Sequence, residues 1–241
     1  MSERYIDVPY GKLRTFQNWL RLDDSVLSRL EQSKDIFIRR GDDFARFFND
    51  YFMSIPEAKF IIEHQERPGH LQRAWAHWFE SLFSTGLSDE FLAYLWKVGV
   101  RHVEVNLDQR FSNMGFSLVR QFCQELAFQE LDDREAHEVL MLVDRVVDFC
   151  LLVETDAYIE NTAYCDLDLM KGIADRIRNP VTVIGGTINR LMKRSQASDP
   201  LYQTYDFIFS QSTKCERMLR DIKTYLDMFD RSPAFMKISL A

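Results

Sequence analysis

Proline and glycine are scarce in this chain, 6 and 9 among 241 residues. Turn-rich β architectures need both at their chain reversals, so a sheet is disfavoured and helices are the first expectation. Cysteine is scarcer still, and Cys123, Cys150, Cys165 and Cys215 lie far apart with no metal-ligand spacing. Zinc is thereby set aside, and the four read as reduced thiols in the core or near the surface. A Gly-rich phosphate loop is also missing: Gly185-Gly186 sits inside a helical pattern, and neither Lys-Ser nor Lys-Thr follows. Long uncharged apolar runs are absent, and Met1 to Trp19 mixes charged and apolar residues. Neither a signal peptide nor a membrane span is therefore expected, and a cytoplasmic location follows. Positive charge is in deficit, with 30 Lys and Arg against 37 Asp and Glu, a net charge of -7. That balance excludes a general nucleic-acid binder and a protein held on anionic membranes, both of which need clustered cations.

What is present is apolar and aromatic. Hydrophobic residues make up 46% of the chain, 19 of them phenylalanine, enough for a sizeable core. Asp23, Asp24 and Ser25 offer caps for a helix running to about Arg39, which Gly41 closes. A second helix from about Asp42 carries Phe44, Phe47, Phe48, Tyr51 and Phe52 at helical spacing and ends at Pro56. Such a stripe ordinarily packs a core, and a cofactor wall is its special use. After Pro68-Gly69 a helix from His70 to Ser84 turns Leu71, Trp75, Trp78, Phe79 and Leu82 inward, and Gly86 stops it. Ser88, followed by Asp89 and Glu90, caps a helix through Phe91, Leu95, Val98 and His102. Another runs from about Gln109 to Phe128, and Asp132 or Asp133 caps a long one reaching about Ala163. Six or seven helices thus precede Asp166, as in a compact bundle.

Two long amphipathic segments follow, from Asp168 to about Arg194 and from Asp199 to about Phe229, with Asp199 as cap and Pro200 in the first turn of the second. Two helices alone bury too little apolar surface to stand in water. The apolar positions Ile173, Ile177, Val181, Ile184, Ile188 and Leu191, facing Phe207, Met218, Ile222 and Leu226, therefore imply a partner hairpin and a symmetric four-helix bundle in a homodimer.

The histidines are His64, His70, His77, His102 and His137, none of them beyond residue 137. His102 follows Leu95, Val98 and Gly99 on one helical face and so points inward. A lone interior histidine is ordinarily a satisfied core side chain. Gly99 shifts that reading, because a missing side chain one turn away leaves room for a flat ring against the helix.

The stretch Val98-Gly99-Val100-Arg101-His102-Val103-Glu104-Val105-Asn106-Leu107, then Arg110-Phe111, resembles the proximal signature of globin-coupled sensors and protoglobins. Upstream, Trp78-Phe79, Leu82-Phe83 and Ser88-Asp89-Glu90-Phe91 look like the helix and loop that lead into it; downstream, Leu142 to Tyr158 is similar to the family's last helix. The resemblance covers roughly residues 20 to 163. It implies an all-α chain with a globin-like sensor domain over residues 1–165, and haem b held by His102 as the iron's axial ligand. Leu95, Val98 and Gly99 would line the proximal side, and Phe48, Tyr51, Leu71, Ala74 and Trp75 the distal side.

The distal side departs from the family's pattern. Where many sensors place a tyrosine this chain has Phe48, and near a frequent distal threonine it has Ala74. An apolar wall forgoes a hydrogen bond to oxygen worth about 1.5–3 kcal/mol. Oxygen is then expected to bind weakly, and carbon monoxide or nitric oxide relatively better. A register shifted by a turn would make Tyr51 or His70 the donor, and His70 is also a candidate second iron ligand, although its place at a helix entrance reads first as solvent-facing. His64, His77 and His137 read as surface residues.

The hairpin, residues 166–241, resembles the dimerisation and phosphotransfer helices of sensor histidine kinases, on Asp175-Arg176-Ile177-Arg178-Asn179-Pro180-Val181 with Ile184-Gly185-Gly186 and on Cys215-Glu216-Arg217-Met218-Leu219-Arg220-Asp221-Ile222. At the phosphoaccepting histidine's position stands Asp175, which cannot form a phosphoramidate. A receiver-type aspartate would need an acidic cluster at strand ends to hold magnesium. Ser232 to Leu240 resembles the linker before a kinase catalytic domain, yet Asn- and Gly-rich nucleotide motifs are missing, so kinase activity is not expected. The expectation is a gas or redox sensor, not an enzyme, that binds a diatomic gas and signals through a dimeric hairpin to a histidine kinase or response regulator. The alternative is a haem-free dimeric module that docks on such a partner. A haem dioxygenase or peroxidase would need a distal acid-base group, for which only His70 offers itself.

Overall fold

A computed structural model of the chain describes residues 7–63, 69–84, 86–196 and 198–229, so His64 and the stretch Ser232 to Leu240 lie outside the described residues. Among those described, ten α-helices and no strand are found: α1 Tyr10–Trp19, α2 Asp24–Gln32, α3 Lys34–Ile38, α4 Gly41–Met53, α5 Pro56–Glu63, α6 His70–Ser84, α7 Asp89–Glu104, α8 Gln109–Glu130, α9 Asp133–Arg194 and α10 Tyr202–Phe229. The fold class is all-α. No helix among the described residues is long and apolar enough to cross a membrane.

Local chemistry explains most helix starts. Asp23, Ser88 and Asp108 accept from the backbone N–H of Val26, Phe91 and Arg110, satisfying donors that a helix leaves open in its first turn. Asp132 does the same for Arg134 and Glu135 at the start of α9. Gly86 and Leu87 take left-handed backbone angles, φ 58° and 57°, between α6 and α7.

Several boundaries differ from the sequence reading. The mixed leader contains α1, whose Leu13 and Phe16 are buried. The expected helix to Arg39 is split into α2 and the short α3, and Gly41 opens α4 instead of closing its predecessor. A Cβ at Gly41 would meet only the Glu80 side chain of α6, whose carboxylate end can turn aside. Pro56 starts α5, where its fixed φ and missing N–H cost nothing. The expected stop near Ala163 is absent: Cys165, Asp166 and Asp168 do not break a helix, and α9 continues through Pro180 to Arg194.

The chain divides into two compact units, Met1–Thr162 and Ala163–Ala241. In the first, α6 packs on α4 and α3, α8 on α3 and α4, and α1 on α7. Its core is strongly aromatic, with Phe37, Phe44, Phe79, Phe116, Phe149 and Trp96 almost wholly buried. Two ring stacks, Phe37 on Phe83 at 4.4 Å and Phe44 on Phe79 at 4.3 Å, bind α3 and α4 to α6. In the second unit α10 returns along the C-terminal part of α9. Ser212 Oγ donates to the Val181 carbonyl at 3.0 Å, and a side chain at Gly185 would meet that hydroxyl at 2.7 Å.

Candidate functional site

The C-terminal turn of α7 gathers the polar chemistry of the first unit. This helix has Asp89 and Glu90 in its first turn and Arg101 and His102 in its last, charges that suit the two ends of the helix dipole. Phe91, Leu92, Leu95, Trp96, Gly99 and Val100 form its buried face. Asn106 ends it at φ 54°, a conformation asparagine tolerates, and Leu107 N–H closes on the His102 carbonyl at 2.8 Å. The Leu107 carbonyl then accepts from Tyr158 Oη of α9 at 3.2 Å, so the chain beyond His102 is held from below.

His102 Nδ1 lies 2.8 Å from Glu154 Oε1, and Ser112 Oγ donates to the same oxygen. Glu154 is 4% exposed, one of few polar side chains buried in the core. Its charge reaches neighbours: burial raises the Tyr94 phenol above its usual range and Glu154 adds to the rise. Burial likewise pushes up the Cys150 thiol, again with a contribution from Glu154, and Cys123 is raised mainly by burial. Two cysteines are thus inert core thiols, whereas Cys165 and Cys215 are exposed.

Gly99 is placed differently from the sequence expectation. A Cβ there would stand 2.7 Å from both the Ala157 Cβ and the Glu154 carbonyl oxygen, so the missing side chain admits α9, not a flat ring. Leu95 is fully buried and Val98 partly so.

The residues expected on the distal side form an aromatic group. Phe48 is 7% exposed, with ring centroids 4.8 Å from Phe52, 5.1 Å from Trp75 and 6.0 Å from Trp78, and a Cβ on Gly115 would touch its ring edge at 3.0 Å. Leu71 and Ala74 are half-buried on α6. Tyr51 is 38% exposed and packs edge-on against Phe52, and His70 is exposed at the first position of α6. Neither supplies a polar group to the interior in this arrangement. Trp78 has a buried Nε1–H with no acceptor among the described residues, as has Trp96, and its ring stands edge to face with Phe116 at 5.5 Å. A cavity of about 430 Å³ opens between α5 and the start of α8, lined by Ile61, Phe111 and Met114 with Glu57, Asn106, Asp108 and Arg110.

Glu154, Ser112 and Trp78 were not read as site residues from the sequence. For Glu154 a signal existed: it interrupts the α9 stripe Val147, Cys150, Val153 and Ala157, where a charge on an apolar face demands a partner.

The helix order, the inward C-terminal turn of α7 and the histidine on it meet a match over residues 10–164 to the protoglobin family model. The chain belongs to the protoglobin family. The protoglobin region runs from α1 into α9 and includes His102, Ser112 and Glu154. Among solved structures, the globin domain of the Geobacter sulfurreducens globin-coupled sensor is similar, with a TM-score of 0.57 at 23% identity over 60% of this chain and 96% of that one. At that identity the likeness establishes a shared globin fold. No curated protein matches the chain.

Proposed function

We propose that this protoglobin is a haem-based gas or redox sensor in which His102 is the axial ligand of haem b, and that it signals as a homodimer without being an enzyme. The observation that carries the reading is the His102–Glu154 contact of 2.8 Å. With Nδ1 engaged by a buried carboxylate, Nε2 is left as the ring nitrogen that would ligate iron, an arrangement common to metal-bound histidines. Haem would supply the iron at which a diatomic gas binds or an electron is exchanged. Phe48, Leu71, Ala74 and Trp75 would line the distal face, with Tyr51 nearer solvent, and Leu95 and Val98 would back the proximal face. Because Phe48 and Ala74 offer no donor, oxygen is bound weakly relative to carbon monoxide and nitric oxide.

Output is assigned to residues 166–241, a hairpin similar to histidine-kinase dimerisation helices, with residues 1–165 as the sensing domain. Its apolar positions Ile173, Ile177, Ile184, Phe207, Met218 and Ile222 are 42–63% exposed in the single chain, which supports a second hairpin covering them. Asp175 pairs with Arg178 at 2.9 Å, so the position of the missing phosphoacceptor is engaged in a local ion pair. The partner would be a histidine kinase or response regulator that reads the dimer's state.

A haem-free interaction module is the second reading, favoured by the mutual packing of Phe48, Trp75 and Trp78 and by the lining of the cavity between α5 and α8, which does not include His102. An absorption spectrum of the chain produced with haem supply separates the two. A Soret band that His102→Ala abolishes supports ligation; a colourless protein that resists reconstitution leaves the second reading.

A further inference from the structure

We infer that Glu154 is a positioning residue for the proposed iron ligand: its carboxylate sets the ring orientation and tautomer of His102 and lends the imidazole negative charge. This rests on the reading that His102 ligates haem, and it adds the control of that ligand's electronics.

One carboxylate oxygen, Glu154 Oε1, receives both His102 Nδ1 at 2.8 Å and the Ser112 hydroxyl. A carboxylate oxygen only accepts, so both partners must donate. A proton of the imidazole therefore sits on Nδ1, and Nε2 is the ring nitrogen left for iron. The three residues belong to α7, α8 and α9, which makes the ring's orientation a property of the helix packing instead of a free torsion. Gly99 belongs to the same arrangement: only without a Cβ there does the α9 backbone come close enough, at Glu154 itself, for this carboxylate to reach one turn up α7.

A plain structural tie between helices would be served equally by a neutral amide, and burial of a charge is costly unless something needs it. The Glu154 side chain is 5% exposed against 26% for His102, so the charge is screened little and acts on the imidazole almost undiluted. A histidine ligand that donates to a carboxylate is a stronger base towards its metal, and hydrogen bonding of this kind favours the more oxidised iron.

The test compares the full chain with Glu154→Gln, which keeps shape and an acceptor oxygen but removes the charge, and with Glu154→Ala. Three quantities are read: the reduction potential by spectroelectrochemical titration, the rate of haem transfer to an excess of an acceptor apoglobin, and the tautomer of His102 in the haem-free chain by nitrogen-15 NMR. The expected results are a higher potential in Glu154→Gln, haem loss faster by about tenfold or more in Glu154→Ala, and a proton on Nδ1 in the haem-free wild type. A potential in Glu154→Gln equal to that of the wild type overturns the electronic role, and a neutral ring with its proton on Nε2 instead of Nδ1 overturns the tautomer role. If Glu154→Ala does not fold, Glu154→Gln alone decides. A wild type that takes up no haem, or a Soret band that survives His102→Ala, removes the ligation reading and this inference with it; a haem-bound wild type with an unaltered Glu154→Gln removes this inference alone.

Discussion

A methyl group at residue 99 would have to occupy space already held by Ala157 and the Glu154 carbonyl, each 2.7 Å away. One of those contacts is backbone, which cannot rotate aside, so α7 and α9 must separate. Gly99→Ala is expected to lower stability by about 1–3 kcal/mol despite alanine's better helix propensity, because overpacking outweighs the propensity gain of about 1 kcal/mol. Urea unfolding followed by circular dichroism measures this; an unchanged or raised midpoint would show that the helices are not held at that distance. The same separation moves Glu154 away from His102, so weaker haem retention should accompany the lost stability.

Among elements, α8 gives a clear dependence on pH. The Arg110 guanidinium, and then the Arg110 backbone N–H, hold the Asp108 carboxyl at about 2, below its ordinary value of 3.8. A carboxyl with a depressed value in the folded chain stabilises fully above its unfolded value and loses that contribution as pH falls through the folded one. Asp108→Ala should therefore lower the urea midpoint at about pH 5 and make progressively less difference towards about pH 2. A gap that persists unchanged in acid would mean that the charge is not what caps the helix. Residue α1 contacts follow another logic: Lys12 Nζ bonds Asp156 at 2.6 Å and Glu160 at 2.7 Å, tying α1 to α9. Burial lowers the Lys12 value, yet the two carboxylates outweigh it and the net shift is upward. Asp156 is nevertheless raised, because its own burial exceeds the help from Lys12, so the pair anchors α1 at some cost in desolvation.

At the scale of the whole molecule, the hairpin leaves apolar positions open to solvent in one copy. Its buried apolar residues include Ala174, Leu219 and Leu226, while Ile177 is 45% and Ile184 49% exposed. Covering the remaining exposed half of one such isoleucine is worth about 1 kcal/mol, so a partner hairpin gains several such terms. The chain should sediment as a dimer, and Ile177→Lys combined with Ile184→Lys should weaken association at least tenfold, as read by analytical ultracentrifugation. A wild type that sediments at its monomer mass over the whole concentration range would remove the dimeric output.

Helix positions were largely legible because caps, glycine, proline and the helical period act over a few residues: α6 was located to its ends, and α7, α8 and the return of α10 nearly so. His102 and the aromatic stripe of α4 were legible for the same reason, since one helix brings its own face together. Pairings between helices were not. His102 and Glu154 stand 52 residues apart, and nothing in the stretch around either says that they meet. Gly99 looked like an open space, and only the neighbouring helix shows that it is a point of close approach. The unbroken α9 was missed because two acidic residues resemble a boundary when read alone, while helix continuity is decided by packing along the whole length. Local rules place the elements; which side chains meet depends on how far apart the elements come to rest, and that distance is set by the core as a whole.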